Sequence, residues 1–183
     1  GYNYLFNGLN LLIAEPVGTL IHPAITVSFF YSLVIILGYW FYQAYSLLYL
    51  GGLAVVPGIE EFVIIYAESL STTAAVLTTL LTVYSLFLLG KSINCVTRNV
   101  VVSMICQSFV FFLPPIALIL SSFGAPESFL LITTIIMLSL LFFWIGEELT
   151  TRNYIILSSM VFGFSVATKI TFIPIAILPF LML

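Results

Sequence analysis

Apolar stretches of roughly 20 residues, the length of helix that crosses a membrane's hydrocarbon core, recur along this 183-residue chain, with short polar or charged clusters between them. Only 6% of the residues are charged, against about 25% in a soluble domain. The stretches are continuously apolar and lack the alternation of a barrel strand. The sequence therefore predicts an all-α fold, a polytopic transmembrane helix bundle.

Turn-forming and polar residues set the predicted ends of these helices. Gly90 is expected to stop the second helix, which leaves a polar loop from Lys91 to Asn99. Pro174 and Pro179 interrupt the last stretch, so we expect either a kinked helix or two short ones there. The predicted apolar stretches are 24–50, 62–89, 100–120, 129–145 and 154–183.

The first 23 residues are less apolar and follow a different pattern. Leucines recur at helical spacing on one face and asparagines on another, which predicts a short amphipathic helix at the membrane surface over residues 4–14. The leucines are Leu5, Leu9 and Leu12, and the asparagines are Asn3, Asn7 and Asn10. We expect one membrane domain over 1–183, with 1–23 as an external loop and 24–183 embedded. The chain opens without Met and ends within apolar sequence, so truncation at both ends is expected.

The basic residues predict an orientation, because Lys and Arg near helix ends favour the cytoplasmic side. Lys91 and Arg98 share one predicted loop, which we place inside. The next loop contains Glu127 and no basic residue, so it is expected outside, and Arg152 then falls inside again. The 24–50 stretch either spans the membrane or re-enters the outer leaflet, and the periodicity leaves both alternatives open.

Few side chains in this sequence could carry chemistry. His22 stands before Pro23 where a helix begins, and Glu127 follows Pro126 at another helix entrance; each is either an interfacial group or a ligand-binding one. Glu68 and Lys169 lie close to apolar sequence, and an ionisable group inside a membrane is a functional candidate, although Lys169 could instead extend to the interface.

Other classes of site find no support in the sequence. It has no basic face for nucleic acid, no metal-ligand spacing and no nucleophile triad. Cys95 and Cys106 are expected to be free thiols.

Five segments in order resemble the lipid-linked-sugar glycosyltransferases of the C-type superfamily, which include the protein O-mannosyltransferases and aminoarabinose transferases. The first segment runs from Gly1-Tyr2-Asn3-Tyr4 to His22-Pro23 and is similar to their first external loop. The others are Ala67-Glu68-Ser69-Leu70-Ser71, Leu88-Leu89-Gly90-Lys91, Gly124-Ala125-Pro126-Glu127-Ser128 and the segment from Gly163 to Lys169. In that family the segment at Ala67 would match a helix start, Gly90-Lys91 a helix end, and Pro126-Glu127 a Pro-acid element.

The resemblance implies transfer of a sugar from a polyprenyl-phosphate donor to an acceptor at the outer or lumenal face. It implies substrate-binding roles for Tyr2, His22, Glu68, Glu127 and Lys169. The implied partners are the lipid bilayer and the sugar donor, and the implied location is the cytoplasmic membrane, or the endoplasmic reticulum membrane in a eukaryote. Either a carboxylate base or a carboxylate-bound divalent metal would assist the reaction.

This sequence departs from the family pattern at two points. Glu68 stands where the family usually has Arg, which argues against phosphate binding there. The family's catalytic acidic residue would precede Gly1, and the chain contains no aspartate. Two other functions remain alternatives: a transporter or channel subunit with Glu68 and Lys169 along its path, and a structural membrane subunit.

Overall fold

The structure is a computed structural model that describes residues 2–16, 25–49, 57–109 and 126–168. Over these ranges it contains helices and no strands, so the all-α prediction is confirmed. In chain order the helices are α1 (Tyr2–Leu12), α2 (Ile25–Tyr49), α3 (Ile59–Ile65), α4 (Ala67–Thr97), α5 (Val100–Phe109), α6 (Pro126–Ile145) and α7 (Thr151–Thr168).

Three of these helices, α2, α4 and α6, are long and apolar enough to cross a membrane. Their 25, 31 and 20 residues correspond to roughly 37, 46 and 30 Å of helix, and the hydrocarbon core is roughly 30 Å thick. The predicted stretches at 24–50 and 129–145 are therefore helices with nearly the expected ends. The chain divides into two compact units, one over 1–76 and the other over 77–183, and the division falls within α4.

In the N-terminal unit, α1 packs closely on α2 through Gly8. A Cβ added at Gly8 would lie 2.9 Å from the Ser32 nitrogen and 3.0 Å from the Ser28 carbonyl oxygen. The Ser32 hydroxyl donates a 2.8 Å hydrogen bond to the Gly8 carbonyl. A side chain at position 8 would therefore push apart two closely packed backbones and disturb the hydrogen bond from the Ser32 hydroxyl to Gly8.

The buried face of α1 includes one residue that the sequence predicts on the polar face. Leu5 and Leu9 are buried as expected, whereas Asn7, predicted on the polar face, is also buried. Asn7 adjoins Gly8, where the backbones of α1 and α2 meet, so its position follows from the packing of the two helices. The predicted location of residues 4–14 along the membrane surface stays a prediction.

Helices α3 and α4 form one almost continuous helical path. The backbone hydrogen bonds from Tyr66 to Phe62 and from Leu70 to Tyr66 keep helical spacing across the junction. Tyr66 itself leaves helical geometry, at φ −106° and ψ 19°. The second predicted stretch is thus helical, with a local break at Tyr66 that the sequence did not predict.

The prediction that Gly90 ends a helix is wrong, because α4 continues to Thr97. A Cβ at Gly90 would overlap the side-chain amide of Gln107 on α5. The Ser103 hydroxyl also donates a 2.9 Å hydrogen bond to the Gly90 carbonyl. Small residues of this kind allow helices to approach closely in membranes, so Gly90 is a packing residue.

The link between α4 and α5 is consequently much shorter than predicted. It consists of Arg98 and Asn99, and Lys91 lies within α4. Arg98 has a positive φ of 50°, which reverses the chain. The Asn99 side-chain oxygen then accepts hydrogen bonds from the backbone nitrogens of Val101 at 2.9 Å and Val102 at 3.3 Å. Asn99 is therefore the N-cap of α5.

The C-terminal unit is held together by apolar contacts among four helices. One buried cluster joins α4, α5 and α6, and a second joins α6 and α7 around Met137. The segment 146–153, predicted as the loop between the stretches 129–145 and 154–183, is shorter than expected, since α7 begins at Thr151. The first cluster comprises Leu86, Leu89, Ile93, Cys106, Leu131, Ile135 and Phe142.

Candidate functional site

The predicted site residues fall in different parts of the structure. Tyr2 begins α1 and Glu68 lies in the first turn of α4; both are exposed and belong to the N-terminal unit. Glu127 lies in the first turn of α6, in the C-terminal unit. His22 and Lys169 lie outside the described residues. Charge alternation and the family resemblance predict that His22 and Glu127 border one cavity on the external face, with Lys169 near it. Because His22 and Lys169 lie outside the described ranges, this stays a prediction.

Glu127 has the local setting that its sequence predicts. Pro126 is the first residue of α6, where its fixed φ and missing N–H suit the helix start. The Glu127 carboxylate then lies near the positive end of the helix dipole. Its side chain is half-buried between buried Pro126 and Ser128. A half-buried carboxylate at a helix entrance can accept hydrogen bonds from a polar ligand while the rest of the helix lies in lipid.

An aromatic cluster between α2 and α3 was not predicted from the sequence. The ring centroid of Phe62 lies 5.3 Å from that of Tyr39, 5.4 Å from that of Tyr42 and 5.0 Å from that of Tyr66. The Tyr39 hydroxyl donates a 3.0 Å hydrogen bond to the Pro57 carbonyl. Helical spacing in the sequence places Tyr39 and Tyr42 on one face of a helix, and Phe62 and Tyr66 on one face of another. It does not predict that these two faces pack against each other.

An open depression of about 410 Å³ adjoins this cluster, at the start of α3. Glu60 and Glu61 are both exposed there, so the depression presents carboxylates to solvent beside phenol rings. Carboxylates of this kind can accept hydrogen bonds from hydroxyl groups or attract cations. Its lining residues are Gly58, Ile59, Glu60, Glu61 and Ile64.

A second groove, of about 300 Å³, lies in the C-terminal unit between α4 and α5. It is mostly apolar, with Val83, Leu86 and Phe87 on one side. The Gln107 amide on the other side donates a 2.8 Å hydrogen bond to the Leu86 carbonyl. That donor already serves helix packing, so the groove offers little polar chemistry.

The described ranges contain no group of three or more His, Cys, Asp or Glu residues that could hold a metal ion. The Glu60–Glu61 pair alone is too small a ligand set for a dedicated protein site, since divalent cations such as calcium take six or more oxygen ligands. Cys95 and Cys106 are free thiols, as expected.

The helices define an all-α integral membrane protein, by the length and composition of α2, α4 and α6. Comparison with protein-family models, with curated proteins and with solved structures finds no match for this chain.

Proposed function

We propose that this chain is part of a membrane glycosyltransferase that moves a sugar from a polyprenyl-phosphate donor to an acceptor at the outer or lumenal face. The observation that carries the proposal is Glu127, a half-buried carboxylate that follows Pro126 in the first turn of α6. Pro126-Glu127 is the pair that resembles the Pro-acid element of the family.

Two further local features support the proposal. Helix α4 begins at Ala67, and the corresponding family segment also starts a helix. The N-terminal segment forms the helix α1, as the amphipathic pattern predicts, and buries Leu5 and Leu9 on one side. One feature argues against it, because Gly90 and Lys91 lie inside α4 where the family has a helix end.

The architecture suits the chemistry of such a reaction. A polyprenyl-phosphate sugar has its tail in the bilayer and its sugar in water, so its site must lie at the interface. The acceptor hydroxyl attacks the anomeric carbon, its proton passes to a base, and the lipid phosphate leaves. In this proposal Glu127 binds and orients sugar hydroxyls, because a carboxylate is a strong hydrogen-bond acceptor.

The exposed carboxylates of the N-terminal unit have less defined roles. Glu68 is exposed in the first turn of α4, and a carboxylate there does not suit phosphate binding, so it would contact the acceptor or solvent. Tyr2 is exposed at the start of α1 and offers a phenol hydroxyl to the donor. His22 and Lys169 remain proposed ligands for the sugar and the lipid phosphate.

Transfer from a radiolabelled donor tests the proposal. The intact membrane protein would be reconstituted in liposomes with polyprenyl-phosphate mannose or polyprenyl-phosphate aminoarabinose, and incorporation into acceptor measured. We expect Glu127→Gln to lower transfer at least about tenfold, the scale of one lost charge-assisted hydrogen bond. Glu148→Gln is the matched control, since Glu148 is exposed in the α6–α7 turn, and it should leave transfer unchanged.

Two outcomes would contradict the proposal. Absence of transfer with every donor, from a protein that is inserted and folded, would reject the enzyme. Full transfer by Glu127→Gln would remove Glu127 from the site. Ion or solute flux through the same liposomes without any transfer would favour the transporter alternative.

A further inference from the structure

Two interhelical turns of the C-terminal unit lie side by side. One is the Arg98–Asn99 link between α4 and α5, and the other runs from Gly146 to Thr150 between α6 and α7. A Cβ added at Gly146 would lie 3.3 Å from the Cβ of Cys95 and 3.5 Å from a methyl carbon of Val96. The last turn of α4 therefore touches the end of α6, and both turns share one end of the unit.

This shared end brings together basic residues that are distant in sequence. Arg98 lies in the first turn and Arg152 begins α7 just after the second, and both are exposed. Lys91, also exposed, lies on α4 before the first turn. These are three of the four basic residues in the chain. Glu147 and Glu148 lie in the second turn, but acidic residues contribute little to membrane orientation.

An aromatic pair borders the same end. The Trp144 and Tyr154 rings stack with centroids 5.1 Å apart and planes at 15°. The Trp144 indole nitrogen donates a 3.2 Å hydrogen bond to the Thr151 hydroxyl. Tyr154 is fully buried, whereas Trp144 is partly exposed. Trp is enriched at the level of lipid headgroups, because its ring is apolar and its N–H is polar.

Apolar side chains lie exposed immediately beside these charges. Val100, two residues after Arg98, is 62% exposed. Ile145, the last residue of α6, is 45% exposed. If this end of the unit faced water, these apolar side chains would be exposed with no favourable interaction to compensate. At the boundary between headgroups and acyl chains, each kind of side chain meets its preferred surroundings.

We infer that the two turns form a single membrane-interface surface, embedded in the headgroup layer of the cytoplasmic leaflet with Arg98 and Arg152 against lipid phosphates. The cytoplasmic leaflet is the anionic one and attracts basic residues next to transmembrane helices. Helix α6 then runs from this surface across roughly 30 Å, which puts Glu127 at the opposite interface. The inference is independent of the proposed sugar transfer.

The adjacency of the turns can be tested by a disulfide. In a Cys106→Ser background, Gly146→Cys should bond to the native Cys95 under mild oxidation, because their Cβ atoms would lie close to disulfide range. Gly163→Cys is the control, since that position faces open space, and it should stay reduced. Failure of the Gly146→Cys protein to cross-link would overturn the juxtaposition.

The side of the membrane can be tested by labelling. Cysteine at exposed Thr150, in a Cys95→Ser and Cys106→Ser background, should react with an impermeant maleimide only in inverted membranes, and Glu127→Cys only in intact cells. Replacing both Arg98 and Arg152 by Gln should give labelling of Thr150→Cys from both sides. Glu147→Gln with Glu148→Gln is the control and should leave orientation unchanged. Labelling of Thr150→Cys in intact cells would overturn the cytoplasmic assignment.

Depth can be tested with Trp144 fluorescence. The chain has two tryptophans, so Trp40→Phe leaves Trp144 as the single emitter. In vesicles of brominated phosphatidylcholine, quenching should be strongest when bromine is attached near the headgroup. Strongest quenching by bromine near the end of the acyl chain would place Trp144 in the bilayer centre and refute the interface surface.

Discussion

The side-chain amide of Gln107 donates a 2.8 Å hydrogen bond to the backbone carbonyl of Leu86, 21 residues earlier in the chain. The bond joins α5 to α4 directly opposite Gly90, where a Cβ would occupy the position of that amide. Two residue types unremarkable in the sequence thus form one interhelical contact. Its consequences for stability can be measured.

Gly90→Ala should displace the Gln107 amide and remove its bond to Leu86. Interhelical hydrogen bonds in membranes contribute roughly 0.6 to 1.7 kcal/mol, so we expect a loss of about 1 kcal/mol in unfolding free energy relative to Gly163→Ala. Gly163 faces open space on α7, so its change to Ala serves as a control with the same gain in helix propensity. In a Gln107→Ala background the two alanine variants should differ little, as measured by unfolding in bicelles. An undiminished difference would mean that Gly90 acts through another contact.

Gly8→Ala should loosen α1 from α2, because the new methyl group would meet backbone atoms of Ser28 and Ser32. Backbone cannot rotate away as a side chain can, and overpacking typically costs about 1 to 3 kcal/mol. Hydrogen exchange of the α1 amides should therefore accelerate. Asn3→Ala, an exposed position on the same helix, should leave the exchange unchanged. Equal protection of α1 in both variants would contradict the interlocked packing.

Asn99→Ala should weaken the start of α5, because it removes the acceptor for the Val101 and Val102 amides. Loss of an N-cap costs typically about 1 kcal/mol. Asn99→Asp keeps an oxygen acceptor and should retain most of the stability. The measurement is hydrogen exchange at Val101 and Val102 compared with Ser103. Retained protection in Asn99→Ala would show that the cap is dispensable.

Phe62→Ala should strongly destabilise the N-terminal unit, because Phe62 contacts three tyrosines and is 4% exposed. Truncation of a buried Phe costs roughly 3 to 5 kcal/mol. Tyr39→Phe removes only the hydrogen bond to Pro57 and should cost roughly 1 kcal/mol or less. Unfolding free energies in bicelles provide the comparison. A larger effect for Tyr39→Phe than for Phe62→Ala would make the hydrogen bond, rather than ring packing, dominant.

The aromatic cluster shows where sequence patterns stop being informative. Helical spacing predicts that Tyr39 and Tyr42 share a face, and likewise Phe62 and Tyr66. It does not predict which pairs meet, because that depends on how α2 and α3 pack.

What the sequence determined by itself is the fold class. Continuous apolar stretches must become helices in a membrane, since every backbone group needs an internal partner there. The helix entrance at Pro126–Glu127 followed from local rules as well, because proline and a carboxylate both suit a helix start.

Tertiary structure alone decided the role of each small residue. Gly90 could have been a helix stop or a packing residue, and only the approach of Gln107 makes it the latter. Likewise, the sequence pattern predicts Asn7 on the polar face of α1, but the close packing of α1 on α2 at Gly8 buries it. The physical reason is that a glycine specifies only the absence of a side chain. Which neighbour fills the space depends on contacts between helices that are distant in sequence.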